Sequence, residues 1–217
     1  LILTANKRFS DRWGGLASYT LSNAKDTSTD FQSTFLPQDN GRGRDSADPN
    51  GLPLGFDPDN ERGPSLQDRR HNLVLSGMYE APYRVNVSTI MRVDSGRPYN
   101  ILAGEDLNGD GNGGTIPGPD RALRVPGDLT SSISRNLGTL PTQVSVDLRF
   151  SRRMSLGERA SIDAIVDIFN LFNRANFTDV NNIFGLGAYT TQPTTSFGQF
   201  QQAAPPRQAQ LAVKVNF

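Results

Sequence analysis

Val144-Ser145-Val146-Asp147-Leu148-Arg149-Phe150 alternates without a break between apolar and polar side chains. Successive side chains of a strand point to opposite faces, so this stretch reads as a strand with one oily face and one wet face. The end of the sequence reads the same way. Ala209, Leu211, Val213, Val215 and Phe217 alternate with Gln208, Gln210, Lys214 and Asn216, and only Ala212 is off pattern. Residues 85–93 and 162–168 repeat the period, with weaker versions at 1–9, 16–25 and 70–80. The expectation is an all-β chain of about seven strands, each about nine to twelve residues long.

The connections between these strands run short, long, short, long, short, long. Tight turns are expected at 10–15, 81–83 and 153–159. The stretches 26–69, 95–141 and 171–205 are read as long loops without regular secondary structure, and together they take more than half of the 217 residues. Compact soluble domains join their elements through about four to six residues. Outer-membrane barrels instead combine short periplasmic turns with long extracellular loops. A tilted strand crosses the hydrocarbon with roughly nine to eleven residues. An antiparallel transmembrane β-barrel segment therefore fits both strand length and loop asymmetry. The alternative is a soluble β-sandwich with one buried face, which also alternates.

Composition narrows the field further. Cysteine is absent, which excludes disulfide staples, thiolate nucleophiles and cysteine zinc sites. The one histidine, His71, excludes a two-histidine metal site. Charge balances at 22 basic against 22 acidic residues, so bulk electrostatics give no reason to bind nucleic acid. No apolar run approaches the roughly 20 residues of a membrane helix. The sequence does not start with Met and shows no basic segment before an apolar one, so no signal peptide is readable. An interior or C-terminal piece of a longer protein is expected.

The two faces of the expected strands divide cleanly. Leu73, Leu75, Tyr79, Val87, Met91, Val146, Phe150, Val166 and Leu211 share the outward face, whose central positions carry no charge. Ser18, Thr20, Asn86, Arg92, Asp94, Asp147, Arg149, Asp163, Asp167 and Lys214 collect on the other face. A charge facing lipid at mid-depth costs about 2–4 kcal/mol, whereas a wet lumen accepts it. Trp13, Tyr83, Phe169 and Phe172 fall near strand ends, where interface girdles sit.

Four stretches carry a family resemblance. They are Asp68-Arg69-Arg70-His71-Asn72-Leu73 followed by Gly77, then Ser95-Gly96-Arg97-Pro98-Tyr99. The third is Val166-Asp167-Ile168-Phe169-Asn170-Leu171-Phe172-Asn173-Arg174-Ala175-Asn176-Phe177, and the fourth is the closing strand from Pro206 to Phe217. With these the chain resembles the C-terminal barrel portion of TonB-dependent outer-membrane receptors, and most of all the Oar-like branch. The resemblance implies a 22-stranded barrel of which residues 1–217 supply about the last third, with plug domain and signal peptide outside this chain. It implies uptake of a solute driven by the TonB complex, which would act through the missing N-terminal region. Outer-membrane lipid is a further implied partner. So is the barrel-assembly machinery, which would read Leu211, Val213, Val215 and the terminal Phe217 as an assembly signal. No enzyme activity, cofactor or nucleic-acid partner is expected. The rival function is a surface adhesin or a secreted β-sandwich that binds calcium or carbohydrate.

Few residues stand out as chemical sites. Asp106-Leu107-Asn108-Gly109-Asp110-Gly111 matches the first half of a calcium loop, with oxygens from Asp106, Asn108 and Asp110. The glutamate expected at the twelfth position is replaced by Pro117, and Asp120 substitutes only if the loop folds back. A solvated turn is the plainer reading. His71 has no nucleophile candidate beside it and reads as a polar strand-mouth residue. Asp163 and Asp167 share a strand face about 13 Å apart, too far to share a proton, and read as lumen lining.

Overall fold

The structure, a computed structural model, describes residues 1–26, 62–107, 118–157 and 159–217. Seven long strands make one antiparallel sheet whose spatial order is the chain order. They are β1 (Ile2–Ser10), β2 (Trp13–Leu21), β3 (His71–Ala81), β4 (Val85–Asp94), β5 (Gln143–Leu156), β6 (Ala160–Phe169) and β7 (Gln208–Asn216). β1 and β7 pair on one side only and form the two edges of the sheet. Ten residues at about 3.4 Å each and a tilt near 45° rise about 24 Å, close to the height of an outer-membrane apolar band.

The short turns all lie at one end of the sheet and the long connections at the other, as the meander requires. Two of the three turns are tighter than expected, and the other keeps its three residues but is shifted by one. Asp11 and Arg12 alone join β1 to β2, both with positive φ, and Trp13, Gly14 and Gly15 belong to β2. That sign at both central residues matches the strand twist of a two-residue hairpin. β3 turns into β4 through Pro82–Arg84, with Tyr83 and Arg84 also at positive φ. β5 runs to Leu156, so only residues 157–159 remain between it and β6.

Register settles which residues share a face. Trp13, Tyr79, Val87, Phe150, Val166 and Leu211 lie opposite one another across six strands, in one apolar row. Among the described residues no second sheet covers this face. Leu211 is 79% exposed and Val213 71%. A secreted β-sandwich would have buried them, so that expectation fails. The polar face carries Asn86, Arg149, Asp163, Asp167 and Lys214, as expected from alternation. Phe169 is paired with Gln208 and shares the polar side, not an outward girdle.

The long connections differ from the expectation of structureless loops. Short ribbons pair Lys25–Asp26 with Gly63–Pro64, Pro98–Tyr99 with Gly138–Thr139, Leu102–Gly104 with Gly118–Arg121, and Phe177–Val180 with Phe200–Ala203. The buried apolar cluster of the described residues also lies here, not in the sheet. Ile101, Ala122, Ile133 and Phe184 form it, with Tyr99, Tyr189 and Phe197 packed around them. Connections this long cannot leave so many backbone groups unsatisfied, so they pair among themselves and bury their few apolar side chains.

Candidate functional site

The candidate site is the layer that the long connections build over one end of the sheet. Two devices fasten it to the strands. The first surrounds the start of β3. Asp68 is buried and its Oδ1 accepts from the Ala24 amide at 3.1 Å. Arg69 reaches Asp94 at 3.1 Å. The His71 amide donates to Ser95 Oγ at 3.0 Å, and its Nδ1 lies 2.7 Å from Tyr19 Oη. His71 is therefore a strand-mouth residue held by Tyr19 of β2 and by Ser95 just past the end of β4. Gly96 follows because an added Cβ would fall 1.5 Å from the Leu140 carbonyl oxygen.

The second device closes the end of β6. Asn170, with φ 49°, turns the chain out of the strand. Its amide donates to Asp147 Oδ1 at 2.9 Å, and its side chain bonds Arg174 in both directions, at 3.0 and 3.1 Å. Asn173 Oδ1 accepts from the Arg207 amide at 2.9 Å. Asn176 donates to the Val144 carbonyl and accepts from the Val144 amide, both at 2.8 Å. Each asparagine thus completes backbone pairing where a strand has run out.

The layer is joined across connections as well. Asn136 donates through its side chain to the Pro64 carbonyl at 2.7 Å and through its backbone amide to Asn100 Oδ1 at 2.8 Å. Arg135 is fully buried and ion-paired with Asp26. Burial draws its guanidinium below the ordinary arginine value, and breaking such a pair by removing one partner typically costs about 3–5 kcal/mol. Burial, with Tyr189 nearby, pushes the Tyr99 phenol above its usual value. The layer also holds an apolar cup of about 370 Å³, lined by Ala103, Leu107, Leu123, Pro126, Leu129 and Leu186. Such a cup suits an apolar part of a ligand.

The residues singled out from sequence fall in different places. Asn108 and Asp110 lie outside the described residues, so the calcium reading does too. Asp106 is described, and Asp120 folds back to accept from the Leu107 amide at 2.6 Å. Asp163 and Asp167 face Arg153 and Arg149 across the β5–β6 pair, each through two hydrogen bonds of 2.6 and 2.9 Å. Leu211, Val213 and Val215 lie on the apolar face of β7 opposite Val166, Ala164 and Ile162, and Phe217 stands beyond it, fully exposed. Sequence reasoning missed Arg135, the asparagine latch and the loop cluster. The signal for the last was the scatter of Tyr99, Ile101, Ile133 and Phe184 in otherwise polar stretches.

No curated protein and no solved structure matches the chain. A family model described as "Outer membrane beta barrel domain" matches residues 1–210. That match agrees with the meander, the two-ended connections and the uncovered apolar row. The chain belongs to the outer membrane beta barrel domain family, and its seven strands are barrel wall in the outer membrane.

Proposed function

We propose that this chain forms wall and extracellular loops of an Oar-like TonB-dependent receptor, which takes up a solute at the expense of inner-membrane energy. The observation that carries the reading is the latch at residues 167–176. It belongs to the third of the resembling stretches, which is specific in combination with the closing strand, and its asparagines each hold backbone. The layer above it is ordered by its own core and offers a cup, as a receptor surface needs. A transporter also accounts for the polar groups better than an enzyme does. His71 is engaged by Tyr19, and Asp163 and Asp167 are engaged by arginines, which leaves no convergent acid–base set among the described residues. β1 and β7 each have an unpaired edge, and strands other than these seven must close them, because lipid offers an open edge no partner. In this reading TonB engages a region outside residues 1–217, and β7, with Leu211, Val213, Val215 and Phe217, is read by the assembly machinery.

The test is site-specific crosslinking of the full-length receptor to TonB in living cells. Crosslinks that vanish when TonB is deleted, and that fall when the proton gradient is collapsed, are expected. A receptor that reaches the surface yet yields no TonB crosslink at any periplasm-facing position would sink the proposal in favour of an adhesin.

A further inference from the structure

The apolar face of the sheet carries two charges among the described residues, and they are treated differently. Lys7 lies opposite Gly15 on β2 and bends toward the turn end. Its Nζ donates to the Ser10 and Trp13 carbonyls at 3.1 and 3.0 Å and sits 4.0 Å from the Trp13 ring centroid. That charge is satisfied within its own hairpin. Arg152 lies opposite Val85 and Ala164, two residues nearer the turns than the row containing Trp13, Tyr79 and Phe150. Neither Arg152 nor its neighbour Arg84 makes an ion pair among the described residues, whereas Arg149 and Arg153 on the polar face are both matched to carboxylates.

Arg84 and Arg152 line one open cup of about 410 Å³ at the rim of the sheet, together with Tyr83, Met154, Ser155 and Arg153, whose charge is already matched by Asp163. Tyr83 is 83% exposed, at the depth where amphipathic rings sit in a bilayer interface. Short turns of these barrels face the periplasm, so the cup opens at the headgroup level of the periplasmic leaflet. A guanidinium recognises a phosphate oxygen pair through parallel N–H donors, and an outward-facing arginine here reaches the headgroups by snorkelling.

We propose that Arg84 and Arg152 clamp the phosphate of an anionic phospholipid of the periplasmic leaflet. Tyr83 packs at its glycerol level, and its acyl chains run along the apolar row of β4 to β6. The site stands apart from transport and serves a barrel of any function. It fixes the vertical position of this wall segment against the leaflet.

Native mass spectrometry of the full-length protein in detergent tests the site, with phosphatidylglycerol and phosphatidylcholine of the same acyl chains as probes. The wild type should retain phosphatidylglycerol about 25-fold better, which is two contributions of about 1 kcal/mol at tenfold per 1.4 kcal/mol. The Arg84→Gln/Arg152→Gln double variant should lose that preference. Arg12→Gln, which removes a charge from a different turn, should keep it. Equal retention by the double variant and the wild type would overturn the site, and so would an equal loss in Arg12→Gln. Displacement of the lipid by excess inorganic phosphate alone would overturn the lipid assignment, because the acyl chains would then add nothing.

Discussion

Phe184→Ala should loosen the extracellular layer and leave the barrel wall as it is. Phe184 is 2% exposed. Its ring centroid lies 5.1 Å from that of Tyr189 and 5.2 Å from that of Phe197, at tilted and edge-on angles. Truncating a buried phenylalanine costs about 3–5 kcal/mol from lost transfer and the cavity left behind. The Phe184 backbone bonds, to the Leu102 carbonyl at 2.8 Å and from the Thr194 amide at 2.7 Å, survive the substitution. The loss therefore falls on side-chain packing. Amide hydrogen exchange on the protein in nanodiscs reads it directly. The Ala122, Ile133 and Tyr189 amides, which bond within the layer, should exchange about 100- to 4,000-fold faster, or reach the unprotected limit if the layer is worth less. Amides within β5 and β6 should not change. Phe184→Leu should fall between wild type and alanine. Unchanged exchange at those three amides would refute the idea that this cluster holds the layer. Acceleration spreading equally into β5 and β6 would show that layer and wall open as one unit.

Asn170→Ala should lower the thermal midpoint by removing three side-chain bonds and straining a residue at φ 49°, a loss of about 2–4 kcal/mol. Asn170→Gly should recover only the strain, about 1 kcal/mol, and a glycine variant as stable as wild type would show that the side-chain bonds contribute nothing. Tyr99 supplies a pH effect. Its folded phenol holds its proton to a higher pH than the unfolded one, so its contribution is complete below about pH 10 and is lost as the pH rises through the folded value. Protease protection of the loops should therefore fall more steeply above about pH 10 in wild type than in Tyr99→Phe, and identical profiles would exclude Tyr99 as the titrating group.

Strand positions, strand number and the two-ended layout were legible because alternation is a local property. Each of Val144, Val146, Leu148 and Phe150 declares its face without reference to any distant residue. Turn lengths were less legible. Asp11-Arg12 is not a usual hairpin pair, and Gly14-Gly15 resembled the turn that it merely follows. The loop layer was hardest, because its order comes from contacts between connections far apart in sequence, such as Asn100 with Asn136 or Arg135 with Asp26. Composition alone presents these stretches as polar linkers. The resembling motifs were visible as letters, but their physical roles appear only when Asn176 is seen beside Val144, or Gly96 beside Leu140.

Asparagine is concentrated at the seam between wall and loops for a reason that the geometry makes plain. A strand that stops pairing leaves both a donor and an acceptor on each backbone unit. An amide side chain offers the complementary pair on two separate atoms, so Asn176 stands in for a residue of a neighbouring strand and takes both groups of Val144. Aspartate cannot do this, since an ionised carboxylate accepts but does not donate. It occurs instead where a lone N–H needs a partner. Asp147 takes the Asn170 amide, Asp68 takes the Ala24 amide, and Asp128 takes the Thr130 amide. At Asn170 and Asn176 the amide is needed because the fold leaves both a donor and an acceptor open there, whereas Asn173 takes only the Arg207 amide. The latch therefore marks where the sheet ends more sharply than any change in hydrophobicity does.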